Sequence, residues 1–291
     1  MFLYFEEYAL VSKLIASRLS VEPVQVSVHR FPDGESLVRL PAQVDEEVML
    51  CRSLFMPNDK LIEIMLAARQ ARQLGAKKLI LVAPYLCYMR QDKAFHPGEA
   101  VSQKIVGEFL SGLFDCVVTV DAHLHRVSSL GQVMPAIQAV NLSAAGPISD
   151  YLTSIAGTPL LLGPDEESLQ WVKSIGERCG LDYAVCQKVR LGDREVQVEL
   201  PRLSGSYDRV VIIDDILSTG RTIAVAAALL KKTGIGRIDC LVTHPIFAPG
   251  AYELLKESGV EEIISTDTIP HETNKISVTP VIADFFLQKD F

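Results

Sequence analysis

Apolar positions along the chain keep two different rhythms. Short runs that are continuous or alternate with period two, KKLILVAPY, DCVVTVDAH, PLLLG, DRVVIID, RIDCLVTH and EEIIST, read as β-strands. Between them DKLIEIMLAARQARQLGA, GEAVSQKIVGEFLSG, ESLQWVKSIGERCG and IAVAAALLKKTG carry apolar residues at helical spacing. The first of these predicts a helix capped by Asn58 or Asp59 and closed by Gly75. VQVSVHR, FPDGE and SLVRL form a hairpin signature with Pro-Asp-Gly at the turn, Val48 to Cys51 reads as a short strand, and DYAVCQK with REVQVEL gives a strand and a hairpin arm. The opening MFLYFEEYALVSKLIASRL reads as an amphipathic helix, with Glu6 and Glu7 where a signal peptide would be positive.

Strands alternating with helices imply an α/β fold of parallel βαβ units with helices on both faces. Strand, helix, strand runs twice, so two similar domains are expected over 1–142 and 143–291, although no residue-level repeat joins them. In such sheets ligands gather beyond the carboxyl ends of the strands, which directs attention to the residues just after each strand.

Length and charge narrow the function. The 291 residues suit one large domain or two ordinary ones. A net charge of −8 excludes a broad electrostatic grip on nucleic acid, so any anionic ligand must meet a local group of cations. Six cysteines lack a CxxC pair or zinc-ligand spacing and read as reduced, mostly buried thiols of a cytoplasmic protein. No apolar run approaches the roughly 18 to 20 residues that span a bilayer.

The stretch DDILSTGRT, Asp214 to Thr222, leaves a strand and enters a helix. Its small residues let the backbone N–H groups curl around an anion at a helix N-terminus, while Asp214 and Asp215 would accept hydrogen bonds from sugar hydroxyls, directly or through a cation. The residues alone also fit an ordinary turn with Thr219 or Thr222 as N-cap. GxxxxGK[ST] and GxGxxG are both missing, so the site is neither a P-loop nor a dinucleotide fingerprint.

DDILSTGRT resembles the phosphoribosyl pyrophosphate loop shared by phosphoribosyltransferases and ribose-phosphate pyrophosphokinases. Four more stretches resemble the pyrophosphokinases alone: RFPDGE, PYLCYMRQDKAFHPGEAVS, VDAHLH and QKVRLGDREV. The resemblance implies two phosphoribosyltransferase-like domains and transfer of pyrophosphate from ATP to ribose 5-phosphate. It implies a ribose 5-phosphate site at Asp214, Asp215, Leu217, Ser218, Thr219, Gly220, Arg221 and Thr222. Arg90, Gln91 and Asp92, with His96 nearby, match the ATP-contacting stretch. Phe31, Asp33 and Glu35 match residues that reach the adenine site of an adjacent subunit, which implies a homo-oligomer. His123 and Asp165 match ligands of Mg²⁺; the HxH pattern alone would suggest zinc, but two further ligands are not announced. Lys188 and Arg190 match a clamp on the transferring group, and their spacing points them the same way in an extended chain.

Two departures from the family pattern stand out. Arg221 replaces a glycine, and Glu166, Glu167 and Ser168 follow Asp165 where small residues are usual. These keep a catalytically silent regulatory homologue in view beside the active synthase; a phosphoribosyltransferase needs neither the doubled architecture nor the RQD and KVR stretches.

Overall fold

The computed structural model describes residues 1–155, 157–190, 196–202, 205 and 207–288, with 188–190, 196 and 197 described by backbone alone. The chain divides into two compact units: 1–143 with 268–270 and 278–291, and 144–267 with 271–277. Among the described residues no helix is long and apolar enough to cross a membrane.

The first unit begins with β1 (Phe2–Phe5) and α1 (Ala9–Arg18). The hairpin β2 (Pro23–Arg30) and β3 (Ser36–Arg39) follows, then β4 (Glu47–Cys51), α2 (Pro57–Gln73), β5 (Lys78–Val82), α3 (Ser102–Ser111), β6 (Cys116–Val120) and β7 (Gln138–Leu142). Its sheet runs β3-β2-β1-β4-β5-β6-β7. Every neighbouring pair is parallel except β2 with β3.

The expected N-terminal helix is corrected at its start. Phe2 to Phe5 form an inner strand, buried at all four positions, and only residues from Ala9 are α-helical. A short apolar run buried on both faces has no period to read, so pattern alone cannot separate such a strand from a helix face. The cap of α2 also differs. Met56 in the left-handed region (φ 51°) precedes Pro57 at the first helical position, whose missing N–H leaves no bond unmade. Asn58 instead accepts from the Tyr88 hydroxyl at 2.5 Å, and Asp59 pairs with Arg30 at 3.1 Å.

The second unit holds α4 (Ala145–Ser154), β8 (Leu160–Gly163), α5 (Leu169–Cys179), β9 (Tyr183–Val185), β10 (Gln187–Arg190), β11 (Val196–Glu199), β12 (Arg209–Leu217), α6 (Arg221–Lys232), β13 (Arg237–Pro245), α7 (Ala251–Glu257), β14 (Glu262–Thr266) and β15 (Asn274–Ile276). Five parallel pairings give the order β15-β14-β13-β12-β8-β9, and β10 with β11 forms a separate antiparallel ribbon. DYAVCQK thus divides at Cys186 into the end of the sheet and the start of the ribbon. The last helix, α8 (Thr279–Leu287), packs on α1 and groups with the first unit, whereas the range 143–291 would leave it with the second.

Read from β9 inward, the second sheet repeats the topology of the first: β9-β8-β12-β13-β14-β15 matches β2-β1-β4-β5-β6-β7. In each, consecutive connections diverge at one place, between β1 and β4 and between β8 and β12. Those are the switch points where a parallel sheet opens a crevice at its carboxyl edge. Beneath the second crevice α6 buries Ile223, Ala224, Ala226, Ala227 and Leu230 against Val210, Ile212 and Cys240. Its small alanines let the helix lie close to the sheet, which fixes where its N-terminus points.

Candidate active site

β12 ends in Ile213, Asp214, Asp215, Ile216 and Leu217, and so delivers two adjacent carboxylates to the second switch point. Asp215 is buried at 3 % exposure, and its N–H donates to Asp214 Oδ1 at 3.0 Å. Burial pushes the Asp214 pKa well above the ordinary carboxylate value, and the charges of Asp215, Asp165 and Glu167 push it further. Four acids therefore face one locality. Such a set suits a hard divalent cation or the hydroxyls of a sugar, since either would supply the charge or donors these oxygens need.

The loop beyond is held from one side. Leu217 O accepts from the N–H groups of Ile246 and Phe247, both at 3.0 Å, and Ser218 O accepts from Ala248 at 2.9 Å. Gly220, at φ 70°, is the N-cap of α6 and supplies no side-chain acceptor, so the first-turn N–H groups of the helix remain suited to an anion. Neither Thr219 nor Thr222 caps the helix. Arg221 is its first residue and is not among the positive-φ positions, so the left-handed step falls on Gly220 and the arginine replaces a glycine without backbone strain.

Across the crevice Asp165 is the N-cap of a short 3-10 turn, Glu166–Ser168, that runs into α5. Asp165 Oδ1 accepts from Glu167 N–H at 3.1 Å, and the Ser168 hydroxyl donates to Asp165 O at 2.6 Å. This reciprocal capping box fixes the Asp165 backbone. A Cβ on Gly163 would collide with Ser168 Oγ, so the serine occupies space that only glycine leaves open. Lys188 and Arg190 lie on β10, opposite Val198 and Val196 of β11; their side chains are outside the described residues.

In the first unit Gln91 holds the start of α3: its Oε1 accepts from the Ser102 hydroxyl at 2.7 Å, and its carbonyl accepts from Gln103 N–H at 3.2 Å. Asp92 Oδ1 accepts from Arg126 at 2.5 Å, while buried Oδ2 has no hydrogen-bond partner. Burial works to raise the Asp92 pKa, but Arg126 outweighs it, and with the Asp92 backbone and His125 holds this carboxyl below the usual range. The RQD and HLH stretches, distant in sequence, thus meet at the carboxyl ends of β5 and β6. Arg90 and His96 are exposed, and His96 Nδ1 lies 2.6 Å from Glu99. The rings of His123 and His125 meet edge to face, 3.8 Å apart.

Strain collects at the same edges. Met56, Tyr88, Asp121 and Phe247, four of the five non-glycine residues with positive φ among the described residues, follow β4, β5, β6 and β13. Such backbone persists only where its surroundings impose it, and it clusters at functional sites. Asp121, at φ 40°, is held by its N–H to Leu142 O at 2.8 Å, and Ala122 N–H donates to Asn141 Oδ1 at 2.7 Å.

Phe31, Asp33 and Glu35 stand apart from these. Their loop closes on itself, Phe31 N–H to Glu35 O at 2.8 Å and Glu35 N–H to Asp33 Oδ1 at 3.2 Å, and all three residues are exposed. In the sheet order β1 and β4 separate their hairpin from β5 and β6.

A family model described as the N-terminal domain of ribose phosphate pyrophosphokinase matches residues 2–113, and one described as the phosphoribosyl synthetase-associated domain matches 204–283. A ribose-phosphate pyrophosphokinase of Methanopyrus kandleri is 35% identical over 277 residues, 94% of each chain. That of Saccharolobus solfataricus is 36% identical over 266 residues, 89% of each chain. The chain belongs to the ribose-phosphate pyrophosphokinase family. Its fold matches that of phosphoribosylpyrophosphate synthetase from Mycobacterium smegmatis, with a TM-score of 0.84 over 98% of this chain and 96% of that one, at 22% identity.

Within this pyrophosphokinase fold the two switch points differ in charge. The second gathers carboxylates on Asp214. In the first, a cleft of about 630 Å³ is lined by Glu7, Arg30, Arg52, Asp59, Lys60 and Glu63 among others, and its charges pair: Arg52 with Glu7 at 2.6 Å and with Glu63 at 2.5 Å. Sequence reasoning missed both this network and Arg126. A buried arginine gives no periodic signal, and the partner of Asp92 lies 34 positions away.

Proposed function

We propose that the protein transfers the pyrophosphoryl group of ATP to the C1 hydroxyl of ribose 5-phosphate, giving phosphoribosyl pyrophosphate and AMP for nucleotide synthesis. The observation that carries this reading is the loop at the second switch point, where acceptors on half-buried Asp214 and buried Asp215 precede an uncapped helix N-terminus. Acceptors for a sugar diol beside donors for a phosphate describe a sugar phosphate. Membership of the pyrophosphokinase family supports it and argues against a phosphoribosyltransferase.

The C1 oxygen attacks the β-phosphorus in line, the bond from the β-phosphorus to the oxygen bridging the α- and β-phosphates breaks, and its electron pair leaves on the α-phosphate of AMP. The hydroxyl proton passes to solvent. Asp214 and Asp215 accept from the ribose hydroxyls, and the N–H groups of 217–222 with Arg221 hold the 5-phosphate. Arg90, Gln91, Asp92 and His96 hold ATP, completed by Phe31, Asp33 and Glu35 of a neighbouring subunit in a homo-oligomer. Lys188 and Arg190 close over the transferring group, where a preorganised contact is typically worth about 3 kcal/mol of barrier. Asp165 and His123 would hold Mg²⁺, which when bound neutralises the triphosphate and favours in-line displacement. The carboxylates around Asp214 fit such an ion; His123 offers one nitrogen, an unusual donor for a hard cation. A cytoplasmic location goes with this reading.

Asp215→Ala tests the assignment. Affinity for ribose 5-phosphate, measured by calorimetry, should fall at least about tenfold, the worth of one charge-assisted hydrogen bond, while ATP affinity changes little. Equal weakening of both would contradict the sugar-phosphate site.

A further inference from the structure

The charged network at the first switch point ends on the hairpin. Glu63, on the second turn of α2, is only 1 % exposed, and each of its oxygens has its own work. Oε2 accepts from Arg52 at 2.5 Å; Oε1 accepts from the Ser36 hydroxyl at 2.8 Å and from Arg30 at 3.4 Å. Arg30 and Ser36 face each other as the last cross-strand pair before the loop 31–35. One buried carboxylate therefore holds both legs of the hairpin at the point where the exposed tip begins.

The anchor behind Glu63 is stiff. Arg52, at 3 % exposure, also binds Glu7 at 2.6 Å and lies over the Phe5 ring, 3.9 Å from its centroid. Lys60 ties the same group to the backbone through Ser53 O at 2.9 Å. Arg30 is fixed a second time by Asp59 at 3.1 Å. With charge answered by charge inside the cleft, the network is suited to bracing and offers no unmatched group to an anion. An exposed five-residue loop has little packing of its own, so its conformation depends on what grips its base.

We infer that Glu63 is a positioning residue for the nucleotide site, setting the hairpin tip that carries Phe31, Asp33 and Glu35. The inference rests on the reading that this tip serves ATP. It distinguishes Glu63 from an ordinary core acid through the order of its contacts: Arg52 and the β1–β4 junction on one oxygen, the hairpin on the other.

Glu63→Gln separates these roles, because an amide has one acceptor oxygen and can satisfy Arg52 or the hairpin but not both. In the purified oligomer, hydrogen exchange at the Phe31 and Gly34 amides should quicken about tenfold, and the KM for ATP should rise about fivefold or more. The kcat and the KM for ribose 5-phosphate should stay within about twofold. Ser36→Ala, which leaves the Glu63–Arg52 pair whole, should show the same split more weakly, and Ser36→Thr should restore ATP affinity; these carry the test if Glu63→Gln does not fold. Unchanged exchange at the hairpin would overturn the positioning role. Equal loss in kcat and in both KM values, with a lower Tm, would reduce Glu63 to a structural residue and overturn it too. Faster exchange with an unaltered KM for ATP would overturn the assignment of the hairpin to the nucleotide, and the inference with it.

Discussion

Asp214 and Asp239 sit on neighbouring strands of one sheet, and their surroundings give them opposite work. Asp239, fully buried toward the amino end of β13, is held by Arg209 at 2.6 Å and Arg237 at 2.9 Å. A compensated buried acid of this kind ties strands together. Asp214, at the carboxyl end of β12, is raised by burial and by three other carboxylates, so the ligand-free protein keeps a repulsion that a bound ligand relieves. Asp214→Asn should therefore raise the Tm of the ligand-free protein by about 3 °C, as expected for roughly 1 kcal/mol in a chain of this size, and weaken ribose 5-phosphate at least about tenfold. The sign with pH follows from proton binding. Folded Asp214 holds its proton more tightly than the unfolded chain does, so the wild type loses stability relative to the variant as pH rises above the ordinary value of about 4. Thermal melts from pH 4 to 7.5 should show the gap widening, and a constant gap would contradict the origin assigned to it.

At the scale of elements, the loops at strand ends were legible because their residue types break a strand. Ser-Thr-Gly after Asp-Asp marks the passage from a strand to a helix, and Pro-Asp-Gly marks a turn. What escaped were elements whose identity depends on partners. Phe2 to Phe5 are a strand because β2 and β4 lie on either side, and α8 leaves the second unit because α1 offers it an apolar face. Gln91 shows the same limit: its type suits a nucleotide contact, yet its amide oxygen also secures the start of α3. Ser168 turns a departure from the family pattern into a cap on Asp165. The ribbon of β10 and β11 carries Lys188 and Arg190, the proposed clamp, and on that proposal Lys188→Ala should lower kcat about a hundredfold or more while ATP affinity stays within about threefold. Single-turnover kinetics with separate ATP binding would check this, and near-normal turnover would remove Lys188 from the mechanism.

At the scale of the whole molecule, one doubled topology serves two ends. The second switch point keeps a carboxylate cluster and an open helix terminus; the first lines its cleft with paired charges, which fits the bracing role inferred for Glu63. The proposed nucleotide residues accordingly divide between the ends of β5 and β6 and a hairpin at the far edge of the sheet, and the proposal predicts sites shared between subunits. Coexpression of a Phe31→Ala, Glu35→Ala chain with a Lys188→Ala chain should restore up to about a quarter of wild-type activity, since a randomly paired oligomer then holds sites with every residue intact. No recovery above the separate variants would place the hairpin in its own subunit's site. The most direct measurement is phosphorus NMR of the purified protein with ribose 5-phosphate, ATP and Mg²⁺. Phosphoribosyl pyrophosphate and AMP should appear together in equal amounts. If both substrates bind and neither product forms, the chain is a silent member of its family and the proposed transfer is wrong.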